Sequence, residues 1–129
     1  MRLLLDTHAF LWAAGKPALL SPAARDAISD RANDVYVSAA VAWEIAIKAG
    51  RGKLRLPMGP ATFVPSRIAA LGFTAMPISL EHALAVAALP ETHADPFDRI
   101  LIAQAQFEGL TLVTRVPAIL RFPVRTLEA

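Results

Sequence analysis

The chain has 129 residues, 13 Lys and Arg against 11 Asp and Glu, a formal charge of +2 at pH 7 and no cysteine. That length suits a single domain over 1–129 that buries a core unaided. The missing thiols exclude disulfide frameworks, thiolate zinc sites and cysteine nucleophiles, and agree with a reducing, cytoplasmic setting.

RLLL at 2–5 ends in three leucines, as in a strand covered on both faces, and leaves Asp6 at its carboxyl end. DTHAFLWAA then takes helical spacing. LSPAARDAISD predicts a helix with Ser21 as N-cap and Pro22 in its first turn, ending near Arg31. DVYVS at 34–38 reads as a strand, and Ser38 as the cap of the helix AAVAWEIAIKAG, closed by Gly50. RGKLRLPMGP is a connector, and ATFVPSRIAALG a helix that Pro65 starts or kinks and Gly72 ends.

FTAMPIS supplies a strand, Ser79 caps the helix LEHALAVAAL, and PETHADP leads into FDRILIAQAQFEG, stopped by Gly109. LTLVT at 110–114 is another core strand, and Val124 to Leu127 a last edge strand. Strands alternating with helices predict an α/β fold: a central, mostly parallel sheet flanked by helices on both faces, with sites beyond the carboxyl ends of its strands.

Hydrophobic residues make up 55% of the chain and mean hydropathy is +0.45. Charges and prolines nevertheless interrupt every apolar run short of the roughly 18 residues of a membrane span, so no membrane association is expected. So apolar a small domain is expected to expose a hydrophobic surface, which predicts a protein partner or a homo-oligomer. The pI of about 9.5 permits nucleic-acid contact without requiring it.

The acids carry the chemistry on offer, because no nucleophile elbow, P-loop or dinucleotide fingerprint is present. Asp6 at a strand end is placed either to cap the next helix or to coordinate a cation. Glu44 is the one acid among apolar positions 41 to 47, so it either faces a polar cleft or pairs with Lys48 one turn on. Asp95 before Pro96 suits an N-cap, and Asp98 falls in the first helical turn, where the helix dipole favours negative charge or Arg99 supplies a partner. His8, His82 and His93 have no metal-ligand spacing; His8 and His93 either line a site beside the acids or are ordinary solvated or core histidines.

LLLDTHAFLW, VSAAVAWEIAIKAGRGKL, HADPFDRILIAQA and GLTLVT, in that order over about 115 residues, resemble the PIN-domain ribonucleases, and most of all the VapC toxins of bacterial toxin–antitoxin pairs. The resemblance implies a PIN domain in which Asp6, Glu44 and Asp98 are metal-binding, catalytic acids. Asp95 is the extra acid of the subgroup with Asp-Pro-Phe-Asp-Arg, and Thr7 and Thr114 are supporting polar residues. It also implies an RNA substrate, a cognate antitoxin and a homodimer. Clustered carboxylates with open water positions suit Mg²⁺ or Mn²⁺, which activate water for attack on a phosphodiester.

One position departs from the family pattern. An Asp is usual shortly after the strand-end Thr, and Val116 stands there instead, which predicts a weakened second metal site. Lys48, Arg51, Lys53 and Arg55 beyond the Glu44 helix, with Arg99 and Arg115 beside the acids, are the cations expected to hold RNA phosphates. Two other readings stay on the page: a catalytically weak PIN domain that mainly binds RNA or antitoxin, and a phosphotransfer domain using Asp6. The latter lacks a second Asp where His8 stands and a Lys where Arg115 and Val116 stand.

Overall fold

A computed structural model describes residues 1–129. Five strands and six helices alternate: β1 (Arg2–Leu5), α1 (Thr7–Gly15), α2 (Pro22–Ser29), β2 (Asp34–Ser38), α3 (Ala39–Gly50), α4 (Pro60–Leu71), β3 (Thr74–Met76), α5 (Leu80–Ala85), α6 (Pro96–Glu108), β4 (Thr111–Thr114) and β5 (Thr126–Glu128). All four strand pairings are parallel, in the order β3-β2-β1-β4-β5. No helix is long and apolar enough to cross a membrane.

β1 is the central strand, with Leu3 paired to Val35 on one side and Thr111 on the other. Leu3, Leu4 and Leu5 are wholly buried. Burying three leucines contributes on the order of 5–9 kcal/mol relative to leaving them exposed, and it fixes the strand that delivers Asp6. The chain winds from β1 outward to β2 and β3, then returns past β1 to β4 and β5. With right-handed crossovers, that reversal puts the helices before β3 and those after it on opposite faces.

Where the structure differs from the sequence reading, local chemistry gives the reason. α2 stops at Ser29 rather than near Arg31, because the Asp30 side chain accepts from Ala32 N–H and turns the chain. Of the two alternatives for Pro65, starting α4 is excluded; the helix begins at Pro60 behind Gly59, and Pro65 sits within it, withholding the N–H that Ala61 would have received. The run from Leu80 to Leu89 is a six-residue helix and a short 3-10 turn, not one helix. The last strand lies at 126–128 instead of 124–127, since Pro123 has no N–H for a ladder and Leu112 N–H is met by the Arg125 carbonyl.

Candidate active site

In a parallel sheet the crevice lies where neighbouring strands send their connections in opposite directions. Here those strands are β1, which leads toward β2, and β4, which leads toward β5. Asp6 follows β1 directly, and Thr114 is the last residue of β4. The Asp6 N–H donates to Val113 O at 3.1 Å, tying the acid's backbone to the neighbouring strand end. β2 ends at Ser38, whose hydroxyl accepts from Ala40 N–H and starts the helix that carries Glu44.

Asp6 is buried and does two things at once. One carboxyl oxygen, Oδ1, accepts from Ala9 N–H at 2.8 Å and caps α1. Burial pushes the carboxyl above its ordinary range, and the nearby Glu44 charge adds to the rise, while Thr114, Ala9 N–H and His8 pull it back. Of the two alternatives the cap is observed, and burial with a raised pKa is compatible with a site role beside it.

Glu44 is only 7% exposed. Thr7 donates its hydroxyl to Glu44 Oε1 at 2.5 Å, and Lys48 Nζ reaches Oε2 at 2.6 Å. The bond to Glu44 raises Lys48 above the usual lysine range, with smaller contributions from Asp95 and Asp98. Lys48 is thus a resident cation among the acids.

α6 brings the remaining pair. Asp95 Oδ1 accepts from Phe97 N–H at 2.9 Å and Asp98 N–H at 3.2 Å, which makes it the N-cap. Asp98, in the first turn, meets His93 Nε2 at 2.8 Å through Oδ2, and not Arg99. Burial raises the Asp98 carboxyl above its ordinary range; Asp95 and Asp6 raise it further, and His93 opposes them. Asp6, Glu44, Asp95 and Asp98 come from three separated segments, and the charge of Glu44 reaches Asp6 while those of Asp6 and Asp95 reach Asp98.

No three acidic or histidine side chains converge to ligand distance in the structure. Glu44 Oε2, Asp98 Oδ2 and Asp6 Oδ1 are engaged instead by Lys48, His93 and the Ala9 N–H. The donor set, all carboxylate with hydroxyls in support, fits a hard divalent cation, and the mutual repulsion is what such a cation relieves. Lys48 and His93 are the groups with which such a cation would compete for Glu44 and Asp98.

The expected phosphate-holding cations divide. Arg51, Lys53 and Arg55 are exposed and engaged in no ion pair, and Lys48 is partly exposed. Arg99 is occupied: its guanidinium donates to Pro90 O at 2.6 Å and His93 O at 3.0 Å, pinning the loop before α6. Arg115 donates to Leu19 O at 2.8 Å and to Ala129 O, and covers the Trp12 ring at 4.6 Å. In the free chain both guanidinium groups are therefore spent on main-chain carbonyls, which hold the loop before α6 and the C-terminal residue in place. Val116 packs against the core, and its N–H donates to Thr114 Oγ1, so this position offers no ligand.

Two contacts of the site were not read from sequence, although His93 itself was offered as a site residue. His93 is the immediate partner of Asp98, a contact set by loop geometry that no spacing rule encodes. Trp43 and Phe97 pack edge to face at 5.0 Å and 78°. Their signal was available, since each directly precedes one of the acids.

A family model described as the PIN domain matches residues 3–116. A 59-residue stretch is 42% identical to Ribonuclease VapC16 of Mycobacterium tuberculosis, covering 46% of this chain and 40% of that protein. Among solved structures, VapBC2 from Rickettsia felis bound to a DNA fragment from their promoter superposes with a TM-score of 0.72 at 16% identity, over 98% of each chain. DNA-bound VapBC from Salmonella typhimurium gives 0.70 at 15%, over 98% of this chain and 97% of that one. A toxin–antitoxin complex from Klebsiella pneumoniae gives 0.66 at 20%, over 98% and 96%. At these identities the structural likeness is one of fold.

Proposed function

The chain belongs to the PIN-domain family, and from that premise we propose that it is a metal-dependent endoribonuclease acting as the toxin of a toxin–antitoxin pair. The observation that carries the reading is the gathering of Asp6, Glu44 and Asp98 from three segments at the sheet's switch point. The name of the mycobacterial relative and the toxin–antitoxin neighbours in fold support it.

Asp6, Glu44 and Asp98, with Asp95 at the outer edge, are the residues that hold Mg²⁺ or Mn²⁺ in this proposal. When bound, such an ion lowers the pKa of water and stabilises charge on the leaving oxygen of a phosphodiester. The chain's own groups do the rest. Thr7 holds the Glu44 carboxylate in one orientation, and Thr114 backs Asp6. Lys48, once released from Glu44, joins Arg51 and Lys53 in holding phosphates along the RNA. A cognate antitoxin and a homodimer cover apolar surface such as the exposed Leu80 and Leu84 of α5. The protein works in the cytoplasm.

Val116 favours a second reading, a PIN domain with weakened catalysis that serves mainly to bind RNA or antitoxin. Its side chain contributes packing where an acid's oxygen is expected. One experiment separates the two: cleavage of total RNA by antitoxin-free protein in Mg²⁺ or Mn²⁺ against EDTA, beside Asp6→Asn and Val116→Asp. Cutting that needs metal and disappears in Asp6→Asn supports the nuclease. Cutting by Val116→Asp alone supports the weakened form, and no cutting by either refutes the nuclease reading.

A further inference from the structure

We infer that Trp43 and Phe97 form a stacking platform for a base of single-stranded RNA at the lip of the acid cleft, where it positions the strand for the chemistry at Asp6, Glu44 and Asp98. The inference rests on the ribonuclease reading above and goes beyond it by naming a substrate-positioning surface.

Trp43 is 58% exposed, on a helix whose next residue is almost fully buried. A tryptophan left in water forgoes much of the stabilisation its ring area offers, so its exposure calls for a use. Phe97 meets it edge to face at 5.0 Å and braces the indole from α6, so the ring is ordered before any ligand arrives. Such bracing lowers the entropy cost of binding.

The platform's place follows from two sequence adjacencies. Trp43 precedes Glu44 on α3, and Phe97 precedes Asp98 on α6. Where one acid points into the cleft, the neighbouring aromatic stands about 100° round the helix, at the cleft's edge. Farther along α3 comes Lys48, and the exposed Arg51 and Lys53 follow in the turn just past its end, with the helix end about 10 Å from Trp43 along the axis. Aromatic faces beside a track of cations are the combination that binds single strands with little regard to sequence.

A protein-covered patch is the competing occupant. Interface centres are depleted in charge, whereas the helix that carries Trp43 runs into Arg51 and Lys53, both exposed and engaged in no ion pair, which suit a phosphate backbone. That surrounding favours RNA.

The test uses the full chain in Ca²⁺, with anisotropy of a labelled, mixed-sequence single-stranded RNA read over a range of salt, beside metal-dependent cleavage. Trp43→Ala is expected to weaken Kd roughly 5- to 150-fold, the worth of one stacked base. Trp43→Phe should recover most of the loss, and the salt slope should stay put, whereas Arg51→Glu with Lys53→Glu flattens it. With the natural protein and an RNA shortened to the least length that binds, so that its register is fixed, an abasic nucleotide should weaken binding at one position of the strand. An unchanged Kd in Trp43→Ala together with a flat abasic scan overturns the inference. If that variant also turns a dimer into a monomer in sedimentation, Trp43 belongs to a protein interface. Should the natural chain cut RNA while those results hold, the platform fails and the nuclease stands. If it neither binds nor cuts RNA, the nuclease reading fails and takes the platform with it.

Discussion

Replacing Thr7 by valine removes one hydroxyl and keeps the shape. In the natural chain that hydroxyl donates to Glu44 Oε1 at 2.5 Å, with both residues buried. Lys48 holds only the other oxygen, so Oε1 is left as a buried anionic acceptor without a donor. A hydrogen bond to a charged group contributes about 1.5–3 kcal/mol. A domain of this length loses roughly 4 °C of Tm per kcal/mol, so Thr7→Val should lower Tm by about 6–12 °C.

The assay is urea and thermal unfolding in EDTA, so that no ion contributes. The control background is Glu44→Leu, in which the acceptor is gone and the added valine methyl meets an apolar neighbour. There Thr7→Val should be close to neutral. The reasoning is refuted if Thr7→Val costs less than about 0.5 kcal/mol in the natural chain, the size of an ordinary surface change. An equal cost in both backgrounds refutes it too, since the effect then does not pass through Glu44.

Three further outcomes are expected. Asp98→Asn should raise Tm in EDTA at pH 7, since burial and the charges of Asp95 and Asp6 hold the folded carboxyl above its unfolded value. A group shifted that way stabilises the fold only while protonated and loses that contribution as pH rises through its folded pKa, so the advantage of Asn should shrink toward acid; a lowered Tm at pH 7 would count against the acid cluster. Arg99→Lys should cost about 1.5–3 kcal/mol and speed hydrogen exchange over 86–95, because a lysine cannot span the carbonyls of Pro90 and His93; unchanged exchange there would contradict the pinning role. Lys48→Met should tighten Mn²⁺ binding in calorimetry about two- to fivefold, the worth of a half-exposed ion pair removed from Glu44, and weaker binding would mean that Lys48 supports the site rather than competes for it.

Much of the scaffold was legible because the signals are local. Ser21, Ser38, Ser79 and Asp95 do cap their helices by accepting backbone N–H groups, and Gly72 and Gly109 end theirs at φ values of 71° and 67°, which other residues adopt only with strain. Boundaries failed where a side chain or proline redirected the backbone, as at Asp30 and Pro123. The cations were legible only as charges: that Arg99 and Arg115 bond their own main chain depends on which carbonyls the loops at 86–93 and around 19 and 129 bring within reach.

By itself, then, the sequence determined the alternation of strands and helices, the leucine strand ending at Asp6, and four acids at helix starts or in an apolar helix. Those follow from periodicity, capping and burial, which act over a few residues. Only the tertiary structure decided that β1 and β4 are neighbours with opposed connections, and so set Asp6 beside Thr114 and within reach of the charges on Glu44 and Asp98. It alone decided that Thr7 and Lys48 share the two oxygens of Glu44, that His93 takes Asp98, and that Trp43 leans on Phe97 in solvent. These contacts join positions up to 54 residues apart, from Trp43 to Phe97, and burial of the sheet, not any local preference, brings them together.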